Sequence, residues 1–82
     1  MEITVLDISP ESPVAGKTLS QINIRHDYGT TVLAIRRQRE ILANPSGNTD
    51  IRPGDGVVVM DAAGDITRLS LLFEPENNPG QV

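Results

Sequence analysis

Residues that punctuate a backbone recur so closely along this chain that only short helices and strands fit between them. Ser9-Pro10-Glu11-Ser12-Pro13, Gly16, Gly29, Asn44-Pro45-Ser46-Gly47-Asn48 and Pro53-Gly54-Asp55-Gly56 each interrupt regular structure. Proline fixes φ and lacks an amide donor, while glycine and asparagine tolerate the tight conformations of turns. Between these breaks, residues 2–8 place β-branched and apolar side chains on both alternating faces, as a strand covered on at least one side does. Residues 31–37 read as a central strand, with Val32 and Ala34 on one face and Leu33 and Ile35 on the other. Residues 38–40 are the turn to a second strand over 41–43, and the 53–56 turn leads into a buried strand over 57–60.

Two helices complete the pattern. Thr18-Leu19-Ser20-Gln21 fits a capping box, in which the threonine hydroxyl accepts from the amide three residues on and the glutamine side chain reaches back. That helix is short, because β-branched Ile22 and Ile24 and the turn former Asn23 disfavour its extension, and Leu19 and Ile22 point to the core. Asp65 is placed to cap a last helix whose apolar residues Ile66, Leu69, Leu72 and Phe73 recur at helical spacing, with Pro75 ending it.

At 82 residues this is one domain, and a domain of that size buries only about 60% of the surface its unfolded chain exposes. Without cysteine it has no disulfides or thiolate metal sites, which leaves oligomerisation as its support. No apolar run approaches the ~18 residues of a membrane span, and the start lacks the features of a signal peptide, so the chain reads as cytosolic. A net charge of −4 argues against nucleic acid as a partner, as do aromatics limited to Tyr28 and Phe73. The basic residues are nonetheless clustered: Arg25, Arg36, Arg37 and Arg39 fall close together, which leaves room for a local anion site.

The ordered series Gly16-Lys17-Thr18-Leu19, Ile24-Arg25, Tyr28-Gly29, Val32-Leu33-Ala34-Ile35-Arg36-Arg37 and Ile51-Arg52-Pro53-Gly54-Asp55 before Val57-Val58-Val59-Met60 resembles the C-terminal subdomain of regulators of potassium conductance, the RCK_C or TrkA-C family. The resemblance spans roughly residues 2–73. It implies an α+β fold, a small mixed or antiparallel sheet of about four strands with two helices, assembled as a homodimer. It also implies a cytoplasmic regulatory module, over residues 1–74, attached to or associated with a membrane channel or transporter for potassium or another cation. Residues 75–82 read as a disordered tail or linker, as in a piece of a longer protein.

Members that sense cyclic di-AMP share a pattern that falls here on Leu19, Ser20, Asn23, Arg25, Thr31 and Val32. Leu19, Arg25 and Val32 match in kind, whereas Ser20 stands for an aliphatic residue, Asn23 for an acid and Thr31 for an amide. The ligand site implied by the resemblance is therefore Leu19, Asn23, Arg25, Thr31, Val32, Ala34 and Pro45, with Arg25 on the negative charges of a small anionic ligand and Leu19, Val32 and Ala34 on its apolar surface. A guanidinium fork holds a phosphate whatever its neighbours are, so cyclic di-AMP is one candidate among anionic or nucleotide ligands. Arg25 has a competing reading, an ion pair with Asp27 or another acid near the dimer interface. Pro45 falls where the family has a proline bordering the same cleft, which implies Ala43 to Pro45 as part of its wall, although a proline that simply ends a strand is the plainer account.

Other chemistry finds less support. Gly16-Lys17-Thr18 is not a phosphate loop, because the position five before Gly16 is Glu11 rather than glycine. His26, the only histidine, reads as an exposed loop residue. Asp50, Asp55, Asp61 and Asp65 lack the alternating spacing of a calcium loop, and turn formation and capping account for Asp55 and Asp65. No nucleophile elbow or metal-protease motif is present, so neither an enzyme nor a cofactor or metal is expected. The rival to a nucleotide-sensing dimer is a purely structural dimerisation module with no small-molecule ligand.

Overall fold

A computed structural model describes residues 2–61 and 66–75. The elements run β1 (Glu2–Asp7), α1 (Leu19–Ile22), α2 (Ile24–Tyr28), β2 (Thr30–Arg37), β3 (Glu40–Ala43), β4 (Gly56–Asp61) and α3 (Ile66–Phe73). The strands form one sheet in the order β1-β4-β2-β3, antiparallel at every pairing. Asp65 and the residues from 76 onward, expected to cap α3 and to form a tail, lie outside the described residues.

The local chemistry explains where the elements begin and end. The Thr18 backbone amide donates to Gln21 Oε1 at 2.9 Å, and the Gln21 amide donates to Thr18 Oγ1 at 3.2 Å, closing the capping box. Asn23 then takes left-handed dihedrals, φ 61° and ψ 45°, which stops α1 after one turn and lets α2 start in a new direction. The first of the two expected helices is thus two short ones. Replacing Thr18 with alanine is expected to cost about 1 kcal/mol and lower the Tm by about 4–8 °C, measured by thermal unfolding. The β2–β3 turn is tight without glycine: Arg37 pairs with Glu40, and Gln38 carries the positive φ, 57°.

One departure from regular alternation governs everything downstream. Val32 faces Val59 and Ala34 faces Val58, so Leu33 is an extra residue with no partner on β4. This bulge puts Val32 and Ile35, three positions apart, on the helix-facing side of the sheet, and turns Ala34 to the opposite side. The expected pairing of Val32 with Ala34 on one face is thereby corrected. Leu6, Val57, Val59 and Ile35 supply the sheet's share of the core, and Ile8, Val14, Ile22, Ile24, Ile51, Leu69 and Phe73 close over it.

The β2 end is locked from below. Arg37 Nε and Nη2 donate to Asp55 Oδ1 and Oδ2 at 3.1 and 2.7 Å, Arg37 Nη2 also donates to the Asp50 carbonyl at 2.9 Å, and the Arg52 amide donates to Asp55 Oδ2 at 2.9 Å. The hydrogen bond to Asp55 raises the Arg37 pKa further above its ordinary value, against the opposing effect of burial. At the other end of the chain, Asp61 Oδ2 accepts from the Ile66 amide at 2.9 Å and starts α3.

Candidate functional site

β3 is shorter than β2 and pairs only with Ala34–Arg37, so the first residues of β2 have β4 on one side and no strand on the other. The chain fills that gap with α1, α2 and the loop after β3. The Leu19 amide donates to the Thr49 carbonyl at 3.0 Å, the Ser20 amide to the Gly47 carbonyl at 2.9 Å, and the Ile51 amide to the Lys17 carbonyl at 2.9 Å, which ties residues 47–51 along the start of α1. A Cβ on Gly47 would overlap Ser20 Oγ, so the loop and the start of α1 lie in close contact there.

A cleft of about 500 Å³ remains between these parts, lined by Leu19, Ser20, Asn23, Ile24 and Arg25 from the helices, Thr30, Thr31 and Val32 from β2, and Asn44, Pro45 and Gly47 from the loop. Six of the seven residues named from the sequence, Leu19, Asn23, Arg25, Thr31, Val32 and Pro45, meet here; Ala34 does not, because it lies further along β2, where β3 and β4 flank it on both sides. Asn44 stands in the wall beside Pro45, and Ile24, Thr30 and Gly47 line it without having been singled out by the sequence. Asn44 has a positive φ of 50° and donates its amide to the Leu33 carbonyl at 2.9 Å, so the bulge residue anchors Asn44 at the cleft.

The electrostatics of the cleft are one-sided. Among the described residues Arg25 is the only charged one in its lining, and no carboxylate pairs with that guanidinium. Asp27, the partner expected for an ion pair, lies instead 2.9 Å from His26 Nδ1 and accepts from Asn23 Nδ2 at 3.5 Å. His26 is exposed but stands on α2 rather than in a loop. The neutral polar residues Ser20, Asn23, Thr31 and Asn44 bring hydrogen-bonding groups to the same lining, and Leu19, Ile24 and Val32 add apolar surface. An anion with both polar and flat apolar parts suits such a lining.

The aspartates serve the fold: Asp50 accepts from Arg52 Nε at 2.8 Å, Asp55 holds Arg37, and Asp61 caps α3. The Arg52 hydrogen bond also holds the Asp50 carboxyl below its ordinary pKa. Among the described residues no group of three histidines, cysteines or acids could hold a metal ion, and no helix is long and apolar enough to cross a membrane. Gly16, with φ 89°, makes the turn before α1 and donates its amide to the Ile51 carbonyl at 2.7 Å, as a turn residue rather than a phosphate cradle.

Comparison with known proteins decides the family. The TrkA-C domain model matches residues 3–73. This chain belongs to the TrkA-C domain family. It is 33% identical over 67 residues to Ktr system potassium uptake protein C of Bacillus subtilis, covering 82% of this chain and 30% of that protein. It is 38% identical over 74 residues to probable potassium channel protein 2 of Methanocaldococcus jannaschii, covering 90% of this chain and 22% of that protein. The chain thus spans less than a third of these curated relatives. The fold matches the RCK_C domain dimer of S. agalactiae BusR in complex with c-di-AMP, with a TM-score of 0.80 at 22% identity over 89% of this chain and 96% of that one.

The same comparison corrects the exclusion of nucleic acid. S. agalactiae BusR in complex with its busAB-promoter DNA matches with a TM-score of 0.80 at 21% identity, over 98% of this chain but 38% of BusR. Proteins that carry this fold do include one that binds DNA. Net charge and aromatic content describe the module alone, and a module covering 38% of a chain does not determine what the rest of that chain touches.

Proposed function

We propose that this TrkA-C domain is a non-enzymatic cytoplasmic regulatory module that works as a homodimer, binds an anionic ligand of the nucleotide class in the cleft between α1, α2, β2 and the 44–47 loop, and regulates a potassium or other cation channel or transporter. The observation that carries this reading is Arg25, the one charged residue among the described residues lining a cleft without an acid, and paired with no carboxylate among the described residues. The relatives named for potassium uptake and for a potassium channel support the setting, and the c-di-AMP complex of a BusR domain of the same fold supports the ligand class.

In this reading Arg25 holds a phosphate through its fork, Leu19 and Val32 pack on the flat part of the ligand, Asn23 and Thr31 donate or accept at its polar edge, and Pro45 closes the wall. Ala34 is left out of the ligand set. Residues 1–74 form the regulatory unit and 75–82 a linker. A ligand that prefers one relative orientation of the two subunits shifts that equilibrium, and the attached channel or transporter reads the shift. The departures at Ser20, Asn23 and Thr31 from the cyclic di-AMP pattern favour a second reading, a dimerisation module without a ligand.

A thermal-shift titration with cyclic di-AMP, cyclic di-GMP, ATP and NAD separates the two. A ligand at one hundred times its Kd adds about 2.7 kcal/mol to the folded state, which raises the Tm of a domain this size by roughly 10–20 °C. Arg25→Ala removes a charge-assisted hydrogen bond of about 1.5–3 kcal/mol and is expected to weaken binding by about 10- to 150-fold while the dimer persists. A Tm that no nucleotide moves, in a stable dimer, transfers the assignment to the structural module.

A further inference from the structure

At the end of β2 away from the Arg25 cleft lies a second cleft, of about 380 Å³, lined by Arg36 and Arg37 of β2, Gln38 of the following turn and residues 52–55. The two clefts share no lining residue. The chain carries a net charge of −4, yet four of its seven basic residues, Arg36, Arg37, Arg39 and Arg52, fall on the end of β2, the β2–β3 turn and the 52–55 turn. Three of these line the cleft, and among the described residues Asp55 is the one acid beside them. Asp55 is turned inward: its side chain is 3% exposed, and its oxygens already accept from Arg37 twice and from the Arg52 amide. What the cleft offers to solvent is therefore guanidinium.

These arginines are held in place but not saturated. A guanidinium carries five N–H donors. Arg36 stands on the open face of the sheet, the side turned away from the helices; among the described residues its side chain makes one hydrogen bond, from Nη2 to Asp7 Oδ1 at 3.2 Å, and its guanidinium lies against the β4 backbone at Gly56. The Arg52 side chain also makes one, from Nε to Asp50 Oδ2 at 2.8 Å. Neither Asp7 nor Asp50 lines the cleft, so each positions its arginine from outside and leaves the remaining donors to a solute. Gln38 gives an independent sign. It has a φ of 57°, a left-handed conformation that glycine adopts without steric cost. Its side chain is exposed and makes no hydrogen bond among the described residues, so folding draws nothing from it. Backbone strain kept for a side chain that the fold does not use marks functional positions, and this one lies on the cleft.

We propose that this cleft is a second anion site, independent of the Arg25 cleft, for a small ligand that carries two linked phosphates. A carboxylate offers two oxygens in one plane, whereas a phosphate offers three in a tetrahedral array, which suits donors that arrive both from β2 and from the 52–55 turn. The cleft has room for more than one such group. Among the described residues Pro53 is the only apolar side chain in the lining, in contrast to Leu19, Ile24 and Val32 of the first cleft, so nothing here takes up a nucleobase. The ligand is recognised through its phosphates alone, as free pyrophosphate or as the diphosphate end of a larger molecule.

The test is isothermal titration calorimetry of the full chain with sodium pyrophosphate at low ionic strength, without divalent cations. Pyrophosphate is expected to bind once per chain and more tightly than orthophosphate. Arg36→Gln and Arg52→Gln, each at an exposed position and each checked for a cooperative thermal transition, are expected to weaken it by about 10- to 150-fold, while Arg25→Ala leaves it unchanged. If one of the two glutamine variants fails to fold, the other decides. Gln38→Gly, which relieves the left-handed strain, is expected to raise the Tm and weaken pyrophosphate binding together. In the Arg25→Ala chain, ADP binding as tightly as pyrophosphate assigns the diphosphate end of a larger molecule, and no ADP binding assigns free pyrophosphate; ADP binding much more tightly overturns recognition through phosphates alone. A wild-type chain that takes up no pyrophosphate overturns the site, as does binding that Arg25→Ala abolishes or that survives both glutamine variants. None of these failures touches the reading of the Arg25 cleft, because the two share no residue.

Discussion

Asp55→Ala is expected to destabilise the domain by about 3–5 kcal/mol, because it strands the Arg37 guanidinium in a partly buried site with one of its three hydrogen bonds left. The Asp55 side chain is 3% exposed and accepts from Arg37 twice and from the Arg52 amide once, so the substitution also leaves the 52–55 turn without its anchor. A domain of this length holds on the order of 5–10 kcal/mol in total, so the loss is most of its stability. A fall in Tm on the order of 20 °C is the expected readout. The control is Arg37→Met with Asp55→Ala: replacing both ends of a buried pair by apolar groups is often close to neutral, so the double variant is expected to recover much of the loss. Equal melting of the single and double variants would show that Asp55 acts through the turn and not through the ion pair.

Phe73→Ala is expected to cost a similar amount, about 3–5 kcal/mol, by removing the sole phenylalanine from a fully buried position under the sheet. Its helix is fixed at both ends, by Asp61 on the Ile66 amide, and at the far end by Ser12 Oγ donating to the Leu72 carbonyl at 2.8 Å and the Ser9 amide donating to the Phe73 carbonyl at 3.0 Å. The site has little freedom to collapse onto the cavity, which places the cost toward the upper end of the range. Urea unfolding checks it: the midpoint falls while the slope of the transition stays near that of wild type. A change below 1 kcal/mol would mean that α3 contributes little to folding. The two variants separate what holds the β2 end from what holds the helix layer, and neither residue lines the Arg25 cleft.

The elements whose cause is local were legible in the chain. Thr18 and Gln21 are three apart, and a capping box needs nothing else; Gly54 and the residues around it make a turn wherever they occur. The apolar spacing of Ile66, Leu69, Leu72 and Phe73 gave α3, although its start depends on Asp61, whose partner is five residues ahead. The order of motifs from Gly16 to Met60 identified the family, and through it Arg25, Thr31 and Pro45 as neighbours in space.

What lay beyond the sequence depended on pairings between distant residues. Strict alternation along 32–35 joins Val32 with Ala34, and only the register against β4 reveals that Leu33 is extra, which sends Ala34 to the open face. Gly47 became a cleft wall because the loop folds back on α1 through the hydrogen bond from the Ser20 amide, a contact between positions that carry no mutual signal. Arg25 could have met Asp27; a single residue's chemistry permits it, and only the structure places Asp27 beside His26 and Asn23 instead. The chain by itself therefore determined which short pieces form, and the family they belong to, since caps, turns and apolar periods act over a few residues. Which side chains share the cleft and which share the open face was decided by strand register and loop closure, where one extra residue exchanges the two sides of a sheet.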